Sequence, residues 1–216
     1  MRTICGLAGP VRLLVPRGFA ERRIGTVVPR GHRLLDDAVG DQYRDGVRLD
    51  QVDGTTCGSA VLVALAAWAD PAEAKRLARS GFDERQRQVH RETNRLWPRA
   101  LGTTPWGMVR WLHDHAPDAG RYEVRLVDDT SAADVADLTR AVTAALAVDR
   151  PVPLLVGSLV PRHYVLALAG SDRVWRVYEP SSGSVRALHV ELVRRRRLVP
   201  VVGFDRLHAA LLPAGP

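Results

Sequence analysis

The chain has 216 residues, an apolar fraction of 46% and a formal charge of +7, enough for one domain, or two small ones, with an ample core. No uninterrupted apolar stretch is long enough to span a membrane. The positive charge does not point to nucleic acid. Lys75 is the only lysine and the arginines run along the whole length, a pattern that a GC-rich bacterial coding sequence produces without selection for a ligand.

Two cysteines, Cys5 and Cys57, do not make a disulfide framework. At the N-terminus, Arg12, Arg17, Pro10 and Pro16 interrupt the apolar run and make a poor signal peptide. A reducing, cytoplasmic location is the simpler expectation. Residues 1–50 read as an N-terminal arm or covering segment, with short β-prone pieces at Arg12–Val15 and Ile24–Val28 and a brief helix over His32–Val39. Residues 51–216 read as the main domain.

Gln51 to Trp68, QVDGTTCGSAVLVALAAW, joins a turn-prone lead to a buried helix. With Thr55 or Thr56 as cap, Cys57 falls in the first turn, where free N–H groups and the positive dipole end favour an anion. A thiol there is more often thiolate, the reactive form. Gln51 lies on the loop leading into the helix, where its amide and the Cys57 N–H form the donor pair of an oxyanion hole. The competing reading makes Cys57 a small buried helix residue, the commoner fate of a cysteine. A base elsewhere decides between the two.

Next come a helix from Pro71, capped by Asp70 and ended by Ser80-Gly81, and a charged segment, Asp83–Trp97, read as a solvated or mobile surface helix with His90 exposed. Gly102–Thr104 gives a loop and a cap for a helix that buries Met108, Trp111 and Leu112. His113 and His115, two apart, point away from one another and do not share a metal. From Tyr122 the pattern turns to strands: Tyr122–Val127, then a helix over Ala132–Val148 capped by Thr130 or Ser131. Further strands follow at Val152–Val156, His163–Ala169, Val174–Tyr178 and Val185–Val190, with Val199–Phe204 as a fifth of this set. Arg194–Arg197 reads as a solvated helix end. A helical first half and an antiparallel second half make an α+β domain with a cleft between them.

Of seven histidines, His163 has the setting of a base. It opens the strand HYVLALA and shares a face with Val165, Ala167 and Ala169. A three-residue turn, Gly170–Asp172, pairs Ala169 with Arg173 and sets His163 opposite Glu179, with Cβ atoms roughly 5 Å apart. That carboxylate fixes the tautomer, orients the ring and stabilises the imidazolium. An exposed cross-strand pair of little worth is the alternative, and a two-residue turn would place His163 opposite Pro180.

Gln51, Cys57-Gly58 before an apolar helix, His163-Tyr164-Val165-Leu166, and Tyr178-Glu179-Pro180 with Gly183 together resemble the C39-like branch of the papain-like cysteine peptidases. The Gly102–Thr104 loop and the Pro151–Val156 strand extend the likeness, which runs from about Gln51 to Gly183. The resemblance implies a papain-like fold in which Cys57 is nucleophile and His163 is base and then acid. Glu179 orients His163, Gln51 completes the oxyanion hole, and no metal or cofactor takes part. Glu179 departs from the family's usual Asp. C39 domains proper are fused to a transporter and cut after a Gly-Gly leader; no transporter follows here, and leader processing is not carried over. The expected partner is a peptide or protein substrate cut at a peptide, isopeptide or amide bond. An acyltransferase or transglutaminase-like enzyme with the same site, and a silent peptide-binding module, are the alternatives.

Overall fold

A computed structural model of the chain describes residues 34–94 and 102–214. They form an α+β architecture with a helical N-terminal region and an antiparallel C-terminal sheet. The β-prone pieces at Arg12–Val15 and Ile24–Val28 lie outside the described residues. Helix α1, Cys57–Ala69, has every residue buried, as a helix apolar on all sides must. Asp70 ends it and caps α2, Pro71–Thr93, accepting from the Ala72 N–H at 2.7 Å. Gly81, at φ 75° and ψ 163°, breaks α2 where the sequence places an end, but the chain re-enters helix and runs on to Thr93. Helix α3, Pro105–His115, is capped by Thr104 and buries Met108, Trp111 and Leu112.

The strands are β1 Gly40–Asp41, β2 Tyr43–Arg44, β3 Val47–Arg48, β4 Tyr122–Leu126, β5 Val152–Gly157, β6 Pro161–Gly170, β7 Val174–Glu179, β8 Ser184–His189 and β9 Arg206–Pro213. Seven of them form one sheet in the order β1-β8-β7-β6-β5-β9-β4; β2 and β3 make a separate hairpin. Alternation along each strand divides the core in two. Tyr164, Leu166, Ala209 and Leu211 pack with α1, α2 and α3. Val165, Ala167, Ala210 and Leu212 pack with α4 (Ala132–Ala147, capped by Ser131), α5 (Val190–Arg194) and α6 (Val199–Val202).

Three expectations need correction. Residues 34–39 are bends rather than helix, with the Asp36 carboxylate holding the Ala38 N–H at 2.9 Å. Val199–Phe204 is not a strand. With Pro200 in its first turn and Gly203 left-handed at φ 77°, the run closes as the short α6, and the strand comes later as β9. Finally, the described part of Asp83–Trp97 is helical and exposes Asp83, Glu84, Arg87, Gln88 and Arg91, but its other face is not solvated. Arg85, Gln86, His90, Thr93 and Asn94 are buried, and Arg85 donates to Glu73 at 2.9 Å.

The β6–β7 register also differs from the expected one. Gly170 pairs with Trp175, which leaves a loop of four residues, 171–174, instead of three. Alone, that change of one residue would turn His163 to the other face. A bulge corrects it: Ala167 pairs with Val177 but Ala169 with Arg176, so Leu168 is an extra residue on β6. Leu166 then pairs with Tyr178, and the continuing register sets Glu179 against Val165, two residues from His163 on the same face. The pair is diagonal, not directly opposed. Gly170 makes the tight entry to the loop possible. Its φ is +154°, and a Cβ there would lie 2.5 Å from the Val174 carbonyl oxygen and 2.7 Å from the Trp175 Cα. Gly170→Ala is expected to lower unfolding stability by about 2 kcal/mol or more, read as a fall in the urea midpoint with an unchanged slope.

Candidate active site

Cys57 begins α1 and is 4% exposed. Thr56 occupies the cap position but makes no side-chain cap bond. Its hydroxyl turns back to Asp53 instead, donating to the carbonyl oxygen and accepting from the N–H, both at 3.1 Å. The expected hydroxyl cap is therefore absent, and the first-turn amides beside Cys57 are left to other acceptors. Asp53 organises this loop: its carboxylate accepts from the Thr55 N–H at 2.8 Å and hydroxyl at 2.7 Å. Burial pushes the Asp53 carboxyl up, yet these bonds and the nearby His90 outweigh it and hold it below its ordinary value.

His163 stands at the end of β6 beside a second bulge. Val156 pairs with His163 and Gly157 with Pro161, leaving Arg162 as an extra residue on β6. Such bulges re-aim side chains. His163 Nε2 meets Glu179 Oε1 at 2.8 Å, and both residues are buried. The Cys57 thiol is close enough to the same ring to raise its pKa. The Phe204 ring lies against the imidazole, centroids 5.7 Å apart. Burial, the largest influence, pushes the His163 pKa down; its interactions with Cys57 and with the Glu179 carboxylate raise it to about 9. Burial likewise pushes Glu179 up, but His163, Ser182 and the Ser181 N–H bring it down to about 2.

Glu179 is held on all sides. Oε1 also accepts from the Ser181 N–H and Oε2 from the Ser182 N–H, each at 2.9 Å, and Arg186 Nη2 lies 3.8 Å from Oε2. The turn behind Glu179 meets Gln51. The Gln51 N–H donates to the Pro180 carbonyl at 2.8 Å, and the Ser181 hydroxyl donates to Gln51 Oε1 at 3.2 Å. Gln51 Nε2 donates to the Asp53 carbonyl at 2.7 Å, so one of its two amide protons is engaged there. Gly183 closes the turn at φ +56°, where a Cβ would lie 3.0 Å from the Leu49 carbonyl oxygen. Three of the four sequence-selected residues thus lie along one connected set of bonds, His163 to Glu179 and the Glu179 turn to Gln51, and the fourth, Cys57, influences the His163 ring.

Several neighbours escaped sequence reading. Ser181, Ser182 and Phe204 carry no pattern that singles them out. The buried polar stripe of α2 does carry one, since Gln86, His90, Thr93 and Asn94 fall at i, i+4, i+7 and i+8, the spacing of one helix face. His90 Nδ1 faces Asn94 Nδ2 at 3.1 Å and the Ser59 hydroxyl at 3.4 Å, which corrects the expectation that it is exposed. Among the described residues no group of His, Cys, Asp and Glu is arranged to hold a metal ion, and no helix is long and apolar enough to cross a membrane.

The two shifts have opposite pH signatures. The His163 contribution to stability is complete below its ordinary value near 6.5 and is lost as pH rises through about 9. The Glu179 contribution is present above its ordinary 4.5 and is lost as pH falls towards about 2. Glu179→Gln removes the carboxylate charge, and Glu179→Asp lacks the methylene that spans the diagonal. In both variants the His163 ring, followed by NMR, is expected to titrate below about 9. An unchanged midpoint would show that Glu179 does not govern the ring.

The chain matches no known protein-family model, no curated protein and no solved structure.

Proposed function

We propose that this protein is a thiol hydrolase of the papain-like, C39-like kind, cleaving a peptide, isopeptide or amide bond. The observation that carries the reading is the His163 ring, bonded through Nε2 to a buried carboxylate and raised in pKa by the thiol at a helix N-terminus. In the proposed reaction the Cys57 sulfur attacks the carbonyl carbon and the carbonyl π pair moves onto oxygen. The Cys57 N–H and the second amide proton of Gln51 receive that charge. His163, protonated through neutral pH, gives its proton to the leaving amine as the C–N bond breaks. It then takes a proton from the water that releases the acyl group. Glu179 holds the ring in one tautomer throughout.

The order of residues, the helix-borne thiol and the antiparallel sheet all support assignment to the papain-like family. Glu in place of Asp fits the diagonal register of β6 and β7, because a diagonal pair separates Cβ atoms by roughly 7–8 Å. An acceptor amine instead of water would give acyl transfer by the same steps, and product analysis with added amine separates the two.

The test is covalent labelling in a Cys5→Ser background, where Cys57 is the remaining thiol of two. A chloroacetamide probe is expected to label Cys57 at neutral pH, and His163→Ala to slow labelling by about tenfold or more. Equal rates in the two proteins would leave Cys57 as a packing residue and remove the hydrolase reading.

A further inference from the structure

Gln86 is wholly buried on α2 and belongs to no part of the chemistry just described. Its side-chain amide brackets Gln51. Oε1 accepts from the Val52 N–H at 3.3 Å, and Nε2 donates to the Asp50 carbonyl at 2.8 Å. In an extended segment, the carbonyl before a residue and the N–H after it point to one side, while the residue's own N–H points to the other. Residues 50–52 use both sides. The Gln51 N–H goes to Pro180 at 2.8 Å, and the two flanking groups go to Gln86. The Gln86 amide therefore stands where a neighbouring strand's peptide group would, and only Asn and Gln carry that donor–acceptor couple.

The helix presenting Gln86 is itself keyed to the nucleophile helix. One turn on, His90 faces Ser59 of α1 at 3.4 Å, two residues from Cys57. Gly81, non-helical within α2, precedes this half of the helix and sets it off from the first.

We propose that Gln86 is a positioning residue that fixes Gln51 for oxyanion stabilisation, linking the donor loop and the nucleophile helix to one rigid element. This rests on the reading of Cys57 and His163 as a catalytic pair. Gln86 touches neither thiol nor substrate; it acts through the backbone on either side of Gln51.

Two reactions of the same thiol isolate this role. Alkylation by iodoacetamide forms an S–C bond as iodide leaves, and no oxyanion develops. Acylation by p-nitrophenyl acetate forms an S–C bond at the carbonyl through a tetrahedral oxyanion, then expels p-nitrophenolate. Both rates are to be measured on the full chain in the Cys5→Ser background, for the parent, Gln86→Met, Gln86→Glu, Gln51→Ala, the Gln86→Met/Gln51→Ala double variant and His163→Ala. Gln86→Met is expected to keep alkylation within about twofold of the parent while slowing acylation by about tenfold or more. The double variant should lose no more than Gln51→Ala alone, because both act on one donor. Gln86→Glu keeps the acceptor, loses the donor and is expected to fall between. It also serves as the folded comparison if Gln86→Met does not fold.

Equal ratios of acylation to alkylation in the parent and the Gln86 variants, or additive losses in the double variant, would overturn the assignment of Gln86. Unchanged rates of both reactions in His163→Ala would overturn the catalytic pair instead, so the two failures are distinguishable.

Discussion

A buried carboxylate is tolerable only when donors surround it, and Glu179 has its donors in two groups. The Ser181 and Ser182 N–H groups come from its own turn; the His163 Nε2 comes from the neighbouring strand. The first group ties the carboxylate to the backbone and the second ties the imidazole to the carboxylate. Because the same turn accepts the Gln51 N–H through Pro180, the anion also fixes where the loop before α1 lies. The candidate base, its carboxylate and the candidate oxyanion donor thus hang on one turn, and the tightness of that turn rests on Gly183.

The two sides of the sheet divide the remaining work. On one side α1 is apolar from end to end, so its direction is set by packing against Tyr164, Leu166 and Tyr178. Its N-terminus is delivered to the sheet end that carries His163. On the other, Phe204 lies against the imidazole, and the rest of that core is aliphatic apart from Trp175. Cys57 is itself part of the first core, and the other members of both cores are structural. They fix two ends in space, and the polar groups bridge them.

The long, periodic elements were legible in the chain: the apolar helix at Cys57, the proline-started helices with Asp70 and Thr104 as caps, and the alternating strands around His163 and Trp175. The identity of the His163 partner was legible too, but for an incomplete reason. Counting a three-residue turn reaches Glu179, while the molecule reaches it with a four-residue loop and an extra Leu168. Turn length and bulge depend on backbone contacts such as those of Gly170 with Val174 and Trp175, which spacing does not encode. The buried face of Asp83–Thr93 was missed for a different reason. Arg85, Gln86 and His90 are polar, and a hydrophobic count assigns polar residues to the surface. Here Glu73, the backbone of Asp50 and Val52, and Ser59 supply their partners from other parts of the chain.

The Leu168 bulge carries a consequence for how such a site can change. Loop length and bulge act as a parity pair: altering either by one residue turns every side chain from His163 to Ala167 onto the opposite face, so only paired changes preserve the arrangement. Losing both together, with a three-residue loop and no bulge, would still pair Leu166 with Tyr178 and leave Glu179 diagonal to His163. The long arm at residue 179 therefore answers to the register that the two features jointly set, and the hairpin tip can be remodelled in matched steps without touching the bond between carboxylate and imidazole.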